Sequence, residues 1–398
     1  MIQWLGSVLL IIGTSIGAAM LALPISAGNI GFIHTVWLLI GIWITMSLTG
    51  FMVWRLASLL PDHANSFSSM ASLTLGKSGQ ALTWLCYLLL LYSLTGAYIS
   101  GDSSIVSMAC LLIFKTSLPP SINDLLFVAI FGGVVYWSTQ AVDVLNRGLM
   151  SIKFIMLFFM VALLMPQVHF NYLTQPSSHQ WNNTLSAIPI LLTAFGYHTV
   201  LPTLCTHLGV KKKYLGSAII AGTLVPLIIY ILWLTSTMGT LPLHGLVSFS
   251  EVQNSSNQVQ SFISSINQIH HSIYLKWAIN SFSTIAITTS FLGVSIGLFD
   301  FLADACKRSN SPIGRAQTAA ITFLPPLIFA WIYPNGFMLA LSFAGIIVTI
   351  LEIILPAFMI TREKKINPTI SHSILFYLAP IVIVFGVTIL LIEIYLKF

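Results

Sequence analysis

The chain has 398 residues, 57% of them hydrophobic and 7% charged, with a formal net charge of +6. Soluble domains carry about 25% charged residues, so the composition excludes one and places the chain in a lipid bilayer. Its apolar residues run in stretches near the roughly 20 that cross a membrane as a helix, not in the alternating segments of about 10 that barrel strands show. The expected fold class is therefore an all-α integral membrane protein.

Met1 to Ala27 lacks the basic start of a signal peptide and leads straight into more apolar sequence, so it reads as the first span. Eleven spans are expected, at about 5–28, 33–57, 80–106, 122–140, 148–168, 185–207, 215–238, 274–302, 316–333, 336–360 and 373–396. They form one transmembrane domain over 1–398.

The first span holds the stretch that organises the rest. Gly13 to Pro24 reads GTSIGAAMLALP, with two glycines and a proline where a membrane helix should be continuous. Each glycine lowers helix stability by about 1 kcal/mol relative to alanine, and Pro24 removes a donor and frees the carbonyl of Met20. In lipid such freed groups are tolerated only where protein or a watery cavity receives them, so a broken span usually lines a site. Packing through a small-residue face, with both prolines as mere kinks, is the alternative. The sixth span repeats the arrangement in Ala194 to Pro202, AFGYHTVLP.

With the first residue inside, Arg55, Lys77, Arg147, Lys153, Lys211, Lys212, Lys213, Lys307, Arg308, Arg315, Arg362, Lys364 and Lys365 fall at cytoplasmic ends. Only Lys115, Lys276 and Lys397 of the 16 basic residues fall on the other side. The positive-inside rule then sets a cytoplasmic N-terminus and an extracytoplasmic C-terminus. Spans 1–5 (residues 5–168) and 6–10 (residues 185–360) have opposite topology, the pattern of an inverted repeat, with the span at 373–396 outside it. The polar stretch 239–272 lies outside the membrane, as a short amphipathic helix over the mouth or as an unstructured loop.

The scattered basic residues have no aromatic interleaving, so no nucleic-acid partner is expected. Cys86, Cys110, Cys205 and Cys306 lack metal-ligand or CxxC spacing and read as buried apolar residues. HExxH, GxSxG and paired Cys/His motifs are missing, so no enzyme activity, catalytic residue, metal or cofactor is expected, and nothing points to an obligate protein partner.

A helix broken at mid-membrane presents N–H groups from one half and carbonyls from the other. Two breaks side by side suit a zwitterion: its carboxylate at Gly13, Thr14, Ser15, Ile16, Gly17 and Ala18, its ammonium at the carbonyls near Phe195 and Gly196. An α-amino acid fits. Phe195 and Tyr197, with Tyr98 and Tyr92 on the third span, would wall off an apolar or aromatic side chain, and ordinary aromatic packing is the alternative.

Ser186 to Pro202, SAIPILLTAFGYHTVLP, together with GTSIGAAMLALP, TSFLGVSIGLFDFLAD at 289–304 and ITFLPPLIFAWIYPNGF at 321–337, resembles the hydroxy and aromatic amino acid permease family, nearest its tyrosine-specific branch. The resemblance covers nearly the whole chain. It implies an inner-membrane, proton-coupled symporter of aromatic amino acids, most of all tyrosine, on the LeuT-like core of the amino acid, polyamine and organocation superfamily. Transport of tryptophan, phenylalanine or a hydroxy amino acid, with sodium coupling or facilitated exchange, is the alternative. Ala19, Tyr197 and Thr199 stand where the family pattern has Gly, Phe and Gly, which bears on side-chain preference.

Ionisable residues inside spans are functional candidates. His198 follows the second break and matches the family's histidine, with a substrate or proton role set against a structural one. Lys153 lies on the fifth span, where related carriers place a lysine in a sodium site between spans 1 and 8, and Thr288, Thr289 and Ser290 would face it. It and His198 are the candidate proton carriers, with an interfacial lysine as the alternative reading of Lys153. Asp300 and Asp304, just before Lys307 and Arg308, read as an interfacial ion-pair cluster, as do Asp143, Asn146 and Arg147. Asp102 and Glu352 depart from the family pattern, and each needs neutralisation or a partner. A reporter fused at Phe398 is expected to read extracytoplasmic; a cytoplasmic reading would rule out an odd number of spans.

Overall fold

Pro24 leaves Met20 one hydrogen bond short, and the fold supplies it from another helix: the indole Nε1 of Trp233 donates to the Met20 carbonyl at 3.0 Å. The computed structural model describes residues 2–60, 66–101, 115, 118–175, 181–208, 214–270, 272–363 and 373–397. Asp102, Cys110, Lys211, Lys212, Lys213, His271, Lys364, Lys365 and Phe398 lie outside them.

All secondary structure among the described residues is helical. Helices α1 (Ile2–Ser15) and α2 (Ala19–Gly28) bend by 53° at a short break and pass together as one membrane span. Next come α3 (Phe32–Leu59), α4 (Phe67–Gly101), α5 (Pro120–Trp137) and α6 (Thr139–Leu164). Helices α7 (Trp181–Thr193) and α8 (Leu201–Leu208) flank a second break, and α9 (Leu215–Met238) follows. Two short helices, α10 (Phe249–Asn254) and α11 (Gln258–Ile269), precede α12 (Ile273–Ala305), α13 (Pro312–Ile332), α14 (Phe337–Ile360) and α15 (Ile374–Lys397). Eight of these helices are long and apolar enough to cross a membrane, and the bent pair makes nine. The α7–α8 segment and α13 are helical where two further spans are expected.

Local chemistry explains the irregular points. Helix α4 starts earlier than its apolar run predicts and turns at Gly76, whose φ of 80° lies in the left-handed region that glycine takes without a Cβ clash. Two π-helical turns, Val128–Gly132 in α5 and Thr349–Ile354 in α14, interrupt the regular ladder, and the second contains Glu352. Such turns are rare and concentrate at functional sites. The stretch 239–272, left open as helix or loop, forms α10 and α11, with the Asn257 side chain accepting from Gln260 N at the start of α11. Gln253 of α10 reaches the carbonyl of Ile25 in α2 at 3.3 Å. Cys86 and Cys205 are buried as expected, but Cys306 is exposed, because α12 ends beside it.

The core is built from a few long packings. Helix α6 lies along α12, α14 along α4, α1 along α9 and α7 along α14. Backbones meet closely at Gly345 of α14, where a Cβ would overlap the Pro189 carbonyl of α7. At one end of the bundle, Arg55 pairs with the fully buried Glu363 at 3.6 Å. At that same end Arg315 donates to the carbonyls of Tyr136 at 2.7 Å and Val135 at 3.0 Å, closing the last turn of α5. Arg55 and Arg315 make this the basic end of the bundle.

The Trp233–Met20 bond gives a double-mutant test. Trp233→Phe is expected to lower the thermal stability of the purified protein in detergent by about 1–3 kcal/mol, from a lost hydrogen bond and a smaller ring. Pro24→Ala returns an N–H to Met20, so in that background the loss should shrink by about 1 kcal/mol. Equal losses in both backgrounds would show that the indole does not serve the freed carbonyl.

Candidate functional site

The two breaks sit side by side. Tyr230 of α9 places its hydroxyl 2.7 Å from the carbonyl of Ser15, at the end of α1, and 2.6 Å from that of Ala194, just after α7. A phenol carries one hydrogen, so one hydroxyl serves two helix ends in turn. Phe195 packs edge-on against the same ring, with centroids 5.3 Å apart.

Other helices complete the first break. Ser290 Oγ of α12 accepts from the N–H of Ala18, the residue just before α2, at 2.8 Å. Lys153 of α6 is 1% exposed and donates from Nζ to the Ile16 carbonyl at 2.8 Å, with Thr289 Oγ1 at 3.4 Å. The lysine therefore stands between the first break and α12, fully inside the protein rather than at an interface. Thr14 returns its hydroxyl to the carbonyls of Leu10 and Ile11. Ser15 Oγ is buried and makes no hydrogen bond among the described residues.

A cavity of about 970 Å³ opens on these groups. Gly13, Thr14, Ser15, Gly17, Lys153, Gly196, Thr289, Ser290 and Tyr98 line it, joined by Ala19, Thr199 and Glu352. It runs from the breaks to the basic end, where the Asp143–Arg147 ion pair of 2.7 Å stands at its mouth with side chains 54% and 79% exposed. Asn146 lines the same mouth. Among the described residues Asp300 and Asp304 form no ion pair within 4 Å, against the expected cluster: Arg315 turns to the end of α5 and Arg308 to Gln317.

Several side chains expected at the gap lie behind its wall. Ile16 and Ala18 take part only through their backbone, and Thr288 is buried outside the cavity lining. Tyr197 points away: its hydroxyl donates to the Met46 carbonyl of α3 at 3.0 Å, and its ring fills the space that a side chain at Gly50 would take. Tyr92 likewise donates to Ile321 of α13 at 2.7 Å, whereas Tyr87, one turn earlier on α4, lines the cavity. His198 is wholly buried, with Nδ1 at 2.7 Å from Glu352 Oε2 and Nε2 at 2.8 Å from Thr49 Oγ1.

Glu352 thus finds in His198 the partner its burial demands, 154 residues away in sequence. Intramembrane charge singled Glu352 out, but no spacing rule could join it to His198. Tyr230, Trp233 and Thr49 carried no sequence signal, being ordinary aromatic and hydroxyl residues of apolar helices.

The arrangement offers an amino acid the chemistry it needs: glycine for close approach, the Ser15 hydroxyl and the backbone of two helix breaks, all beside one cavity. Comparison with known proteins agrees with that reading. The sequence model of the tryptophan/tyrosine permease family matches residues 2–394. The "Tryptophan-specific transport protein" of Pseudomonas aeruginosa is 35% identical over 91% of this chain and 86% of its own length. The "Tyrosine-specific transport system 1" of Haemophilus influenzae is 33% identical over 93% of this chain and 90% of its own. The "Low affinity tryptophan permease" of Escherichia coli is 30% identical over 96% and 93%. With its family pattern matched from end to end and its two broken helices meeting at one cavity, the chain belongs to the tryptophan/tyrosine permease family, whose members are membrane transport proteins and not enzymes.

Proposed function

We propose that the chain imports tyrosine, among the aromatic amino acids, by proton symport across the cytoplasmic membrane. The observation that carries the reading is the pair of breaks joined at Tyr230 and opening into one cavity. A volume of about 970 Å³ is at the upper end of the roughly 300–1,000 Å³ of small-molecule sites, with room for an aromatic side chain and water. The carboxylate lies at Gly13–Ala18, where Ser15 Oγ lacks a partner, and the ammonium lies toward Phe195 and Gly196. Hydroxyls of Tyr87, Tyr98 and Thr199 on the cavity wall favour tyrosine, because a site that hydrogen-bonds a substrate hydroxyl discriminates more strongly than an apolar one. Tyr197 plays no part in that choice.

Packing supports an eleven-span protein with an inverted repeat of residues 5–168 and 185–360. An inverted repeat exchanges spans 1 and 6, 2 and 7, 3 and 8, 4 and 9, 5 and 10. The packing of α6 on α12 then corresponds to that of α14 on α4, and both are among the most extensive in the protein. One correspondence fails. Helix α7 lies tightly along α14, whereas its counterpart α1 meets α6 at few points, such as Gly13 against Met150, and the cavity opens beside them. With the basic end in the cytoplasm, this is the inward-facing state, closed outside by α10 over α2 and by the Gly345–Pro189 contact.

Uptake of labelled tyrosine into proteoliposomes, with the pH gradient and sodium varied independently and with tryptophan and phenylalanine as competitors, tests the reading. Accumulation is expected with an inward proton gradient and no sodium, with tyrosine the best competitor. Sodium-driven accumulation at constant pH would overturn the coupling, and stronger competition by tryptophan would overturn the substrate.

The glycines of the breaks should differ. A Cβ at Gly17 would meet Ser290 Oγ at 3.0 Å and disturb the cap on Ala18, whereas at Gly196 the nearest atom, the Thr193 carbonyl, is 3.4 Å away. Gly17→Ala is expected to weaken tyrosine binding roughly ten-fold, the size of one lost hydrogen bond, and Gly196→Ala by no more than about two-fold. Calorimetric binding to the purified variants checks this, and equal affinities would count against α2's first turn as the carboxylate site.

A further inference from the structure

We propose that the exchangeable proton sits on Glu352, held with His198 and Thr49 as one hydrogen-bonded triad, while Lys153 serves as a fixed cation. This rests on the proton-symport reading and names the group that would perform it.

The two candidates differ in what their partners can do with a proton. Lys153 Nζ meets the Ile16 carbonyl, which only accepts, and Thr289 Oγ1. The Thr289 hydroxyl is committed elsewhere: its bond to the Ile285 carbonyl is 2.8 Å, and its distance to Nζ is 3.4 Å. A neutral amine there would leave its lone pair unserved, so the surroundings suit an ammonium held in place.

Thr49 shows the reverse. Its contacts with the Thr45 and Met46 carbonyls are both 3.2 Å, and its contact with His198 Nε2 is 2.8 Å. The hydroxyl can accept from Nε2–H while donating to its own helix, or turn and donate to Nε2. In the first arrangement one proton is shared between His198 Nδ1 and Glu352 Oε2, and the triad is neutral overall. In the second, Nε2 carries no hydrogen, Nδ1–H donates to the Glu352 carboxylate, and the triad carries one negative charge. Every bond of the triad is made in both arrangements, so gain or loss of a proton leaves none of its buried polar groups unpaired, the usual cost of such a change.

The route is short. Glu352 lines the cavity and His198 and Thr49 lie behind it, so the proton enters and leaves at the carboxylate. Thr49 keeps its own hydrogen throughout. Glu352 is the sole ionisable residue of α14. The titratable groups facing the pair are Tyr87 of α4, Tyr197 beside the imidazole, and Lys153 on the same cavity. Helix α15 brings none between Ala379 and Ile392. With Lys153 fixed as a cation, the unloaded cavity with an anionic triad is neutral and the protonated one carries a single positive charge. A return of the empty carrier then moves no net charge at this site.

The test compares Glu352→Gln, Lys153→Gln and wild type in proteoliposomes. Glu352→Gln, a neutral mimic of the protonated carboxyl, is expected to keep tyrosine counterflow within about three-fold of wild type. Its accumulation ratio under an inward pH gradient should fall to that seen with the gradient collapsed. Wild-type accumulation in Glu352→Gln, or its selective loss in Lys153→Gln alone, would overturn the proposal. Should Glu352→Gln show no counterflow, Thr49 decides: Thr49→Val removes the turning hydroxyl and should shift the pH midpoint of tyrosine uptake by about half a unit or more, and Thr49→Ser should not. Unshifted midpoints in both would overturn it. Failure of the wild type itself to respond to the pH gradient would sink proton symport, and the triad's role with it.

Discussion

A backbone group without a partner in hydrocarbon costs several kcal/mol, and this constraint accounts for most of the specific contacts in the protein. Two helices are broken where lipid offers no water. Five polar groups at or near the breaks are met by side chains from helices that pass intact: Trp233 at Met20, Tyr230 at Ser15 and Ala194, Ser290 at Ala18, Lys153 at Ile16. Helices α6, α9 and α12 therefore supply the donors and acceptors that the sequence of α1 and α2 gives up. Among the described residues that repair is incomplete at Ser15 Oγ, and the proposed substrate site lies there, beside Gly17 on the cavity wall.

The same constraint separates what could be read in the sequence from what could not. Glycine and proline act within one or two turns, so GTSIGAAMLALP announced its own break and even the carbonyl, Met20, that would need a donor. Apolar runs and scattered basic residues are likewise local, and the helices stand where those runs lie. Partners are not local. Glu352 read as a charge in need of company, yet its company is a histidine on the far side of the second break. Tyr197 shows the opposite error: adjacency to Gly196 suggested the pocket, but a seven-residue break turns the chain enough to aim its hydroxyl at Met46.

Family membership fixes the class of cargo without fixing the cargo, since relatives of similar identity are named for tryptophan and for tyrosine. The discriminating groups must then be those that vary on the cavity wall rather than those that hold the breaks. Thr199 is the candidate: it lines the cavity, and the family resemblance leads one to expect glycine there. Ala19, also on the wall, takes up space a glycine would leave. Both side chains take up room on the cavity wall, and Thr199 adds a hydroxyl to it. Under the tyrosine-import proposal, the lost room disfavours an indole more than a phenol, and the hydroxyl favours the phenol.

Tyr230 joins these threads. Its single hydrogen lies between two carbonyls, 2.7 Å and 2.6 Å away, that belong to different broken helices. Two acceptors sharing one donor make a joint whose hydrogen can follow either helix: if the ends of α1 and α7 separate, one bond breaks and the other keeps the phenol satisfied. The carbonyl released is then left facing the gap, short of a donor. An ammonium supplies three. In the proposed transport cycle, motion of one break against the other would change how many acceptors the gap presents and so its affinity for an ammonium, with Tyr230 as the link between them.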